Sequence, residues 1–521
     1  MRRGGDPVAI RGGIPRTISE ILTPIIRYKK GLAGLSIILF YVLLGIVGPM
    51  ISKYDPVYSV GLADNVALPE WYASIIDPKL PRNMELNFTS WKPIRESRAG
   101  DVSVNIERDM DKLVIIFRGR GSANISIDSE NLYLYPYKPA KSMLITYSIQ
   151  VSSLDNKTSW YNLQLYIINP DLMGMNKTVR QGDVVANVPM GYYAFYDEVG
   201  FKVASLWPYS KEMKSLYNQS IRLPYYIYNP KQEYRLPDFV NPVSELLLAE
   251  NTRIGIRINA SYYCNPSDFI MRCDSEGLKI VIYPIYVKIY GLAFGILGTN
   301  YLGADVWTQF VNGARAAIIF GFGVASAIVL IGLLVGVIAG YHGGRRTDYI
   351  LTFLTDVVYF LPALPLILAV GITFGRSIYA IFAIIVLLSW PGTARIVRSW
   401  TLALRNEPYV EAAQALGSSV RRIIAKHIIP HLTPLIVYAI VLDVPAAIFT
   451  EVAIQLLGFG DPGFPSWGKM LNEAYFGGAI TSGAWWWIMP PIVGITTIAL
   501  GFALLGLALD EVVNPRLRRR S

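Results

Sequence analysis

Three carboxylates stand inside long apolar runs: Asp356 near one end of 350–373, and Asp443 and Glu451 within 435–457. An ionisable group at membrane depth is costly against lipid, so it faces a bundle interior or a watery path. The three are candidates for lining a translocation route. Internal pairing, or a place near an interface for Asp356, is the competing reading. A peptide amino terminus and a sugar hydroxyl can both meet a carboxylate, so these residues do not choose a substrate. Other chemistry-bearing patterns fall short. Gly463 to Met470 nearly spells a phosphate-binding loop, but the last position needs a hydroxyl for magnesium, Met470 has none, and no strand precedes it. His427 and His431 stand four apart, as in a zinc-protease helix, yet Ile428 occupies the place of the general base and Pro430 interrupts the helix. There is no nucleophile elbow of the GxSxG type. Two cysteines and three histidines are too few for a Cys/His metal cluster. No enzyme chemistry, metal or cofactor is expected of this chain.

The elements around those carboxylates follow from composition. Of 521 residues, 52% are hydrophobic, and the mean hydropathy is +0.36. That describes a membrane protein with room for a soluble domain. The net charge of +10 does not point to nucleic acid, because the basic residues sit in short segments beside apolar spans. Residues 1–30 form a basic N-terminus, and 31–51 is uncharged and long enough to cross a bilayer. About thirty polar residues precede that run, so it reads as an anchor rather than a cleaved signal peptide. Five more spans follow at 316–340, 350–373, 378 to about 394, 435–457 and 485–509, then a basic tail at 510–521. The short segments on the proposed inner side hold nineteen Lys and Arg, against Arg376 and Lys469 outside. This predicts six spans with both ends cytoplasmic.

Between the first two spans the composition changes. From about 56 to 290 short apolar runs alternate with polar residues at 112–117, 132–137, 143–151, 161–168, 253–258 and 278–289. Gly, Pro, Asn and Asp separate them. The pattern predicts an extracellular, antiparallel β-sandwich insertion. Every Asn-x-Ser/Thr sequon falls in it, at Asn87, Asn124, Asn156, Asn176, Asn218 and Asn259, which suits an external, glycosylated surface. Cys264 and Cys273 lie there too. A disulfide across so short a loop contributes about 2–3 kcal/mol at best and needs an oxidising compartment; two unpaired thiols are the alternative.

The stretch 406–434 is a polar, basic island between spans. Tyr409, Ala412, Ala413 and Leu416 repeat at helical spacing. Glu407-Pro408 is a sound helix start, Gly417 a natural stop, and Ser418 or Ser419 can cap a second helix. In that helix Val420, Ile423, Ile424 and Ile428 form one face, Arg421, Arg422 and Lys426 the other, and Pro430 is expected to end it. Such a pair of helices can lie on the membrane or on its own bundle, or dock a partner. Glu411-Ala412-Ala413, then Gly417, then His427-Ile428-Ile429-Pro430 closely resembles the EAA loop of ABC importer permeases, in the version found in dipeptide and oligopeptide permease subunits. Lys53-Tyr54-Asp55-Pro56, the segment 297–306 with Gly313-Ala314-Arg315, Leu456 to Gly460 with Pro465-Ser466-Trp467-Gly468, and Asn514 to Arg518 resemble the same family. Asn300 and Ala304 depart from it, standing where an acidic and a basic residue are common.

The resemblance covers about 25–56 and 296–518. It says nothing of the insertion. It implies a type I importer fold: a membrane bundle of six transmembrane helices, with a permease core at 296–509 and a coupling loop at 406–430. In that loop Glu411, Ala412, Ala413, Gly417, Arg421, His427 and Pro430 would meet the ATPase. The implied partners are a sister permease, two cytoplasmic ATPase subunits, an external solute-binding protein and the lipid of the cell membrane. The chain itself would hydrolyse nothing, and its cargo would be di- or oligopeptides. Oligosaccharide import by a peptide-type permease, as in archaea, and a membrane-anchored surface receptor or enzyme are the alternatives.

Overall fold

The computed structural model describes residues 28–153, 160–172, 176–181, 184–189, 192–201, 215–223, 247, 252–264, 277–373 and 375–513. The chain forms two compact units, one made of the segments before 61 and from 304 onward, the other of 61–303.

The helical unit begins with α1 (Lys29–Ile51). The chain then enters the second unit through α2 (Glu70–Ile76) and, among the described residues, thirteen strands, and returns at α3 (Val306–Tyr341). Asp305 starts α3 by accepting from the backbone N–H groups of Trp307 and Thr308, the usual side-chain cap. Then come α4 (Arg346–Tyr359), α5 (Ala363–Thr373), α6 (Ile378–Arg405), α7 (Pro408–Ala415), α8 (Val420–Ile423), α9 (Ile429–Leu456), α10 (Trp467–Phe476) and α11 (Trp485–Val513). Among the described residues five helical stretches are long and apolar enough to cross a membrane: α1, α3, α6, the run Val420–Leu456 and most of α11. The span expected at 350–373 is instead two shorter helices, α4 and α5, broken around Pro362, since the residue before a proline is pushed out of the helical region.

Small residues let these helices approach closely, as membrane bundles require. Gly332, Gly336 and Gly340 line one stripe of α3. A Cβ there would meet Thr393 Cβ at 2.7 Å, the Ala394 carbonyl at 2.6 Å and Thr401 Cβ at 2.6 Å, all on α6. Gly34 of α1 approaches the Gly501 carbonyl of α11 in the same way, at 2.5 Å. Trp467 is fully buried and donates its indole N–H to the Phe310 carbonyl at 3.0 Å.

One expectation fails here. Pro430 does not end the second helix of the 406–434 stretch. A π-helical turn at Ile424–Ile428 joins α8 to α9, with the Ile429 N–H reaching the Ile424 carbonyl five residues back. The wider turn absorbs the donor that Pro430 lacks and relieves its ring from the preceding turn. Val420–Leu456 is therefore one continuous rod.

Among the described residues of the second unit, these strands pair antiparallel. Eleven strands form one hydrogen-bonded sheet whose main path runs β1 (Met84–Phe88), β13 (Ile285–Tyr290), β5 (Ser142–Ser153), β12 (Leu278–Ile282), β3 (Lys112–Ser129), β11 (Thr252–Cys264), β6 (Trp160–Ile168), β9 (Tyr192–Phe201). The strands β2 (Trp91–Asp109), β4 (Tyr133–Tyr135) and β10 (Ser215–Leu223) attach to β3, β11 and β5, and β7 (Asn176–Gln181) pairs with β8 (Val184–Pro189). One core, including Phe117, Ile149, Leu165, Ile258 and Ile280, draws on β3, β5, β6, β11 and β12. The long strand β3 pairs with β12 along its first half and β11 along its second. It turns between them at Gly119 and Gly121, both at positive φ. A Cβ on either would lie within about 2.0 Å of a β2 carbonyl, so only glycine fits.

Candidate functional site

The 406–428 hairpin forms as the spacing predicts. Pro408 opens α7. Gly417 takes φ +76°, and the Ser418 N–H returns to the Ala413 carbonyl at 3.1 Å, a left-handed helix stop. The buried side differs from expectation. Val410 and Ala413, not Tyr409, Ala412 and Leu416, pack inward, against Val337 and Tyr341 of α3, Val397 of α6 and Ile423, Ile428 and Leu432 of the rod. Tyr409 stacks on His431, ring centroids 5.0 Å apart, and lies 6.4 Å from His427. Gln414 donates to the Tyr341 hydroxyl at 3.4 Å. The opposite side is open: Glu411, Ala412, Gly417 and Arg421 are exposed, and Leu416 is 86% exposed. Pro430 is half-buried at the start of α9.

The three carboxylates occupy three separate settings. Glu451 is 3% exposed. It lies against Ser466 and Gln455, and its Oε1 has no hydrogen-bond partner among the described residues. Asp443, half-buried, accepts a long bond from Thr393 of α6 at 3.4 Å. Asp356 of α4 accepts from Arg395 of α6 at 2.7 Å. Thr393 and Arg395 are two residues apart on a helix and so point to nearly opposite sides. The partner of Asp356 escapes sequence reading because Arg395 and Arg398 look like charges of an inner loop. In the structure α6 continues through both to Arg405. Arg398 grips Asp348 at the start of α4 with two bonds, at 2.6 and 2.8 Å. That guanidinium, with the Gly344 N–H and the Thr352 hydroxyl, satisfies the buried Asp348 carboxylate.

The near phosphate-loop has a plain structural role. Ser466 caps α10 by accepting from the Lys469 N–H at 3.2 Å, and Asp461 takes the N–H of Ile378 at the start of α6 at 3.0 Å. Asn300, where the family often carries an acid, is buried and accepts the Leu302 N–H at 2.9 Å; a neutral amide makes that bond without burying charge.

In the second unit Asn87 and Asn124 are exposed and Asn259 is half-buried. Asn156, and the side chains of Asn176 and Asn218, lie outside the described residues, as do residues 1–27 and 514–521 of the two basic ends. Cys264 is buried at the end of β11, and Cys273 lies outside the described residues.

Comparison with known proteins bears on the helical unit. Residues 332–519 match the family model described as the binding-protein-dependent transport system inner membrane component. The dipeptide transport system permease protein of Bacillus subtilis (strain 168) is 37% identical over 223 residues, covering 43% of this chain and 69% of that protein. The oligopeptide transport system permease protein of the same organism is 34% identical over 224 residues, covering 43% and 72%. A solved inward-facing methionine ABC transporter is 19% identical and covers 39% of this chain and 94% of that one, with a TM-score of 0.31. At such identity over more than two thirds of a relative, with the apolar helices and hairpin described above, the chain belongs to the binding-protein-dependent transport system inner membrane component family: it is a membrane-embedded, multi-pass permease subunit of an ABC importer and not an enzyme.

Proposed function

We propose that this subunit carries di- and oligopeptides inward, powered by ATP that partner subunits hydrolyse. The observation that carries the coupling half of this reading is the hairpin's asymmetry. One side, Val410 and Ala413, is sealed into the bundle; the other presents Glu411, Ala412, Gly417, Arg421 and an open Leu416. A leucine that exposed, beside small residues and a carboxylate, suits a groove on another protein. His427 and Pro430 would brace the hairpin from behind. The peptide half is supported by the names of the relatives. The assembly would hold a sister permease, two ATPase subunits and an external binding protein. The broken α4–α5 segment supplies the sixth crossing, both termini are cytoplasmic, and the β-rich unit is a sandwich-like domain on the outer face, a landing or shielding surface for the binding protein. Cys264, which is not a free thiol, would pair with Cys273 there. Asp443, Glu451 and Asp356 would serve the route through the bundle.

The test is uptake by the complete importer reconstituted in vesicles, with peptides and oligosaccharides competing. Peptide uptake driven by internal ATP, together with co-purification of ATPase subunits, is the expected result. Competition by oligosaccharides alone would overturn the peptide assignment, and purification without ATPase subunits would overturn the coupling role of the hairpin.

A further inference from the structure

Two ion pairs join α4 to α6, and they differ in kind. Arg398 and Asp348 form a closed pair, with two parallel bonds and an Asp348 side chain only 4% exposed. One turn earlier on α6, Arg395 makes a single bond to Asp356, and the two side chains stay 37% and 45% exposed. A guanidinium carries five N–H donors. Among the described residues Arg395 uses one of them on protein. Its guanidinium carbon lies over the Tyr359 ring at 3.8 Å, with Phe360 at 5.8 Å, so the head is held in place while part of it stays exposed.

The surroundings make an open guanidinium costly. Arg395 lies about 15 Å along α6 from the Arg405 end. Phe353, Leu354, Val357, Phe360 and Ile396 around it are exposed and apolar. A cation with unused donors cannot face lipid there without a heavy penalty, and its head is held back on Tyr359 rather than stretched toward an interface. It must face water or a group that takes its bonds. The rigid fork of arginine matches a carboxylate with two parallel bonds, and one monodentate tie to Asp356 leaves that fork available.

We propose that Arg395 is a specificity-determining residue on the translocation route that receives the C-terminal carboxylate of the passing peptide, with Asp356 and Tyr359 as positioning residues that keep it oriented between substrates. The inference rests on the peptide reading above. The experiment measures initial uptake of tetra-alanine and of its C-terminal amide by the complete reconstituted importer, each as a ratio of variant to wild type, so that the binding protein's own preference cancels. Arg395→Gln should lower uptake of the free acid about tenfold or more, the loss that follows removal of a hydrogen bond to a charged group, and leave the amide within about twofold. Arg395→Lys, which keeps charge but not the fork, should lower the acid by a smaller factor and also spare the amide. It decides the matter if Arg395→Gln does not assemble. Equal losses for acid and amide would make the pair a structural or sister-subunit contact and overturn the inference alone, as would unchanged uptake of both. Absence of any peptide uptake by the wild-type importer would overturn the peptide reading and this ligand with it.

Discussion

Gly417 offers a controlled test of coupling, because the structure contains its own reference position. Gly417 sits at φ +76° with no atom within 4 Å of where a Cβ would stand. Alanine there meets no clash, and only the left-handed backbone resists it, at about 1–2 kcal/mol. Gly344, in the turn between α3 and α4, has the same φ of +76° and the same open space. Its N–H is held by the Asp348 carboxylate at 3.0 Å, a bond that alanine retains. The two substitutions therefore carry matched backbone penalties. A burden of that size shifts a local equilibrium about five- to thirtyfold. In Gly417→Ala it falls on the angle between α7 and the rod, so retention of ATPase subunits during purification, and ATP-driven uptake, should drop by that order. Gly344→Ala should change neither by more than about twofold. Normal uptake by Gly417→Ala with a complete complex, or equal losses from both variants, would refute the claim that the hairpin angle transmits work.

Other expectations follow from individual contacts. Arg398 grips the buried Asp348 carboxylate with two bonds, and removing one partner of a buried pair costs about 3–5 kcal/mol; Asp348→Asn should clearly lower the melting temperature of the solubilised protein at pH 7, and an unchanged melt would contradict the closed pair. Gly336→Leu would drive a side chain into the Ala394 carbonyl and Val397, where overpacking costs about 1–3 kcal/mol or more; thermal melts should drop clearly, and an unchanged melt would contradict the close α3–α6 contact. Cysteine at 443 or 451 should react with a water-soluble thiol reagent in at least one state of the transport cycle, and protection in every state would assign both carboxylates to internal packing.

The hairpin was legible because its signals are local: a proline that can start a helix, a glycine that can stop one, and apolar spacing on either side. What spacing leaves open is which stripe is buried by this chain and which by another. Leu416 fits a helical stripe yet stands open, while Val410, off that stripe, is sealed by α3 and α6. The insertion was legible as β wherever strands alternate. Strand β2, Trp91–Asp109, escaped because most of its side chains are polar and exposed; it is held by its long ladder with β3, which no local pattern encodes. The leucine, isoleucine and valine runs marked the spans, but a proline's effect depends on its neighbours. Pro362 breaks an apolar run in two, whereas Pro430, Pro434 and Pro445 lie within α9 without ending it.

That continuity changes how the hairpin can act. Had Pro430 ended a short surface helix, motion of α7 would have to pass through a flexible joint before reaching the membrane. Instead Val420–Leu456 is a single rod of 37 residues, roughly 55 Å long at 1.5 Å per residue. Its second half carries Asp443 and Glu451, and its first residues carry the hairpin. On the proposed reading, tilting one end displaces the other, and the π turn at 424–428 is the yielding point nearest the hairpin, with Pro434 and Pro445 further along α9. A wide turn has weaker geometry than an α-turn, so it is the natural point for the rod to bend when the ATPases close. Inserting one alanine between Val437 and Tyr438, in the regular part of α9, would rotate everything beyond it by about 100°, turning Asp443 and Glu451 away from their settings. Such a variant should insert and keep its ATPase subunits yet fail to transport. Retained transport would show that the rod's phase, and with it the placement of those carboxylates, does not matter to the cycle.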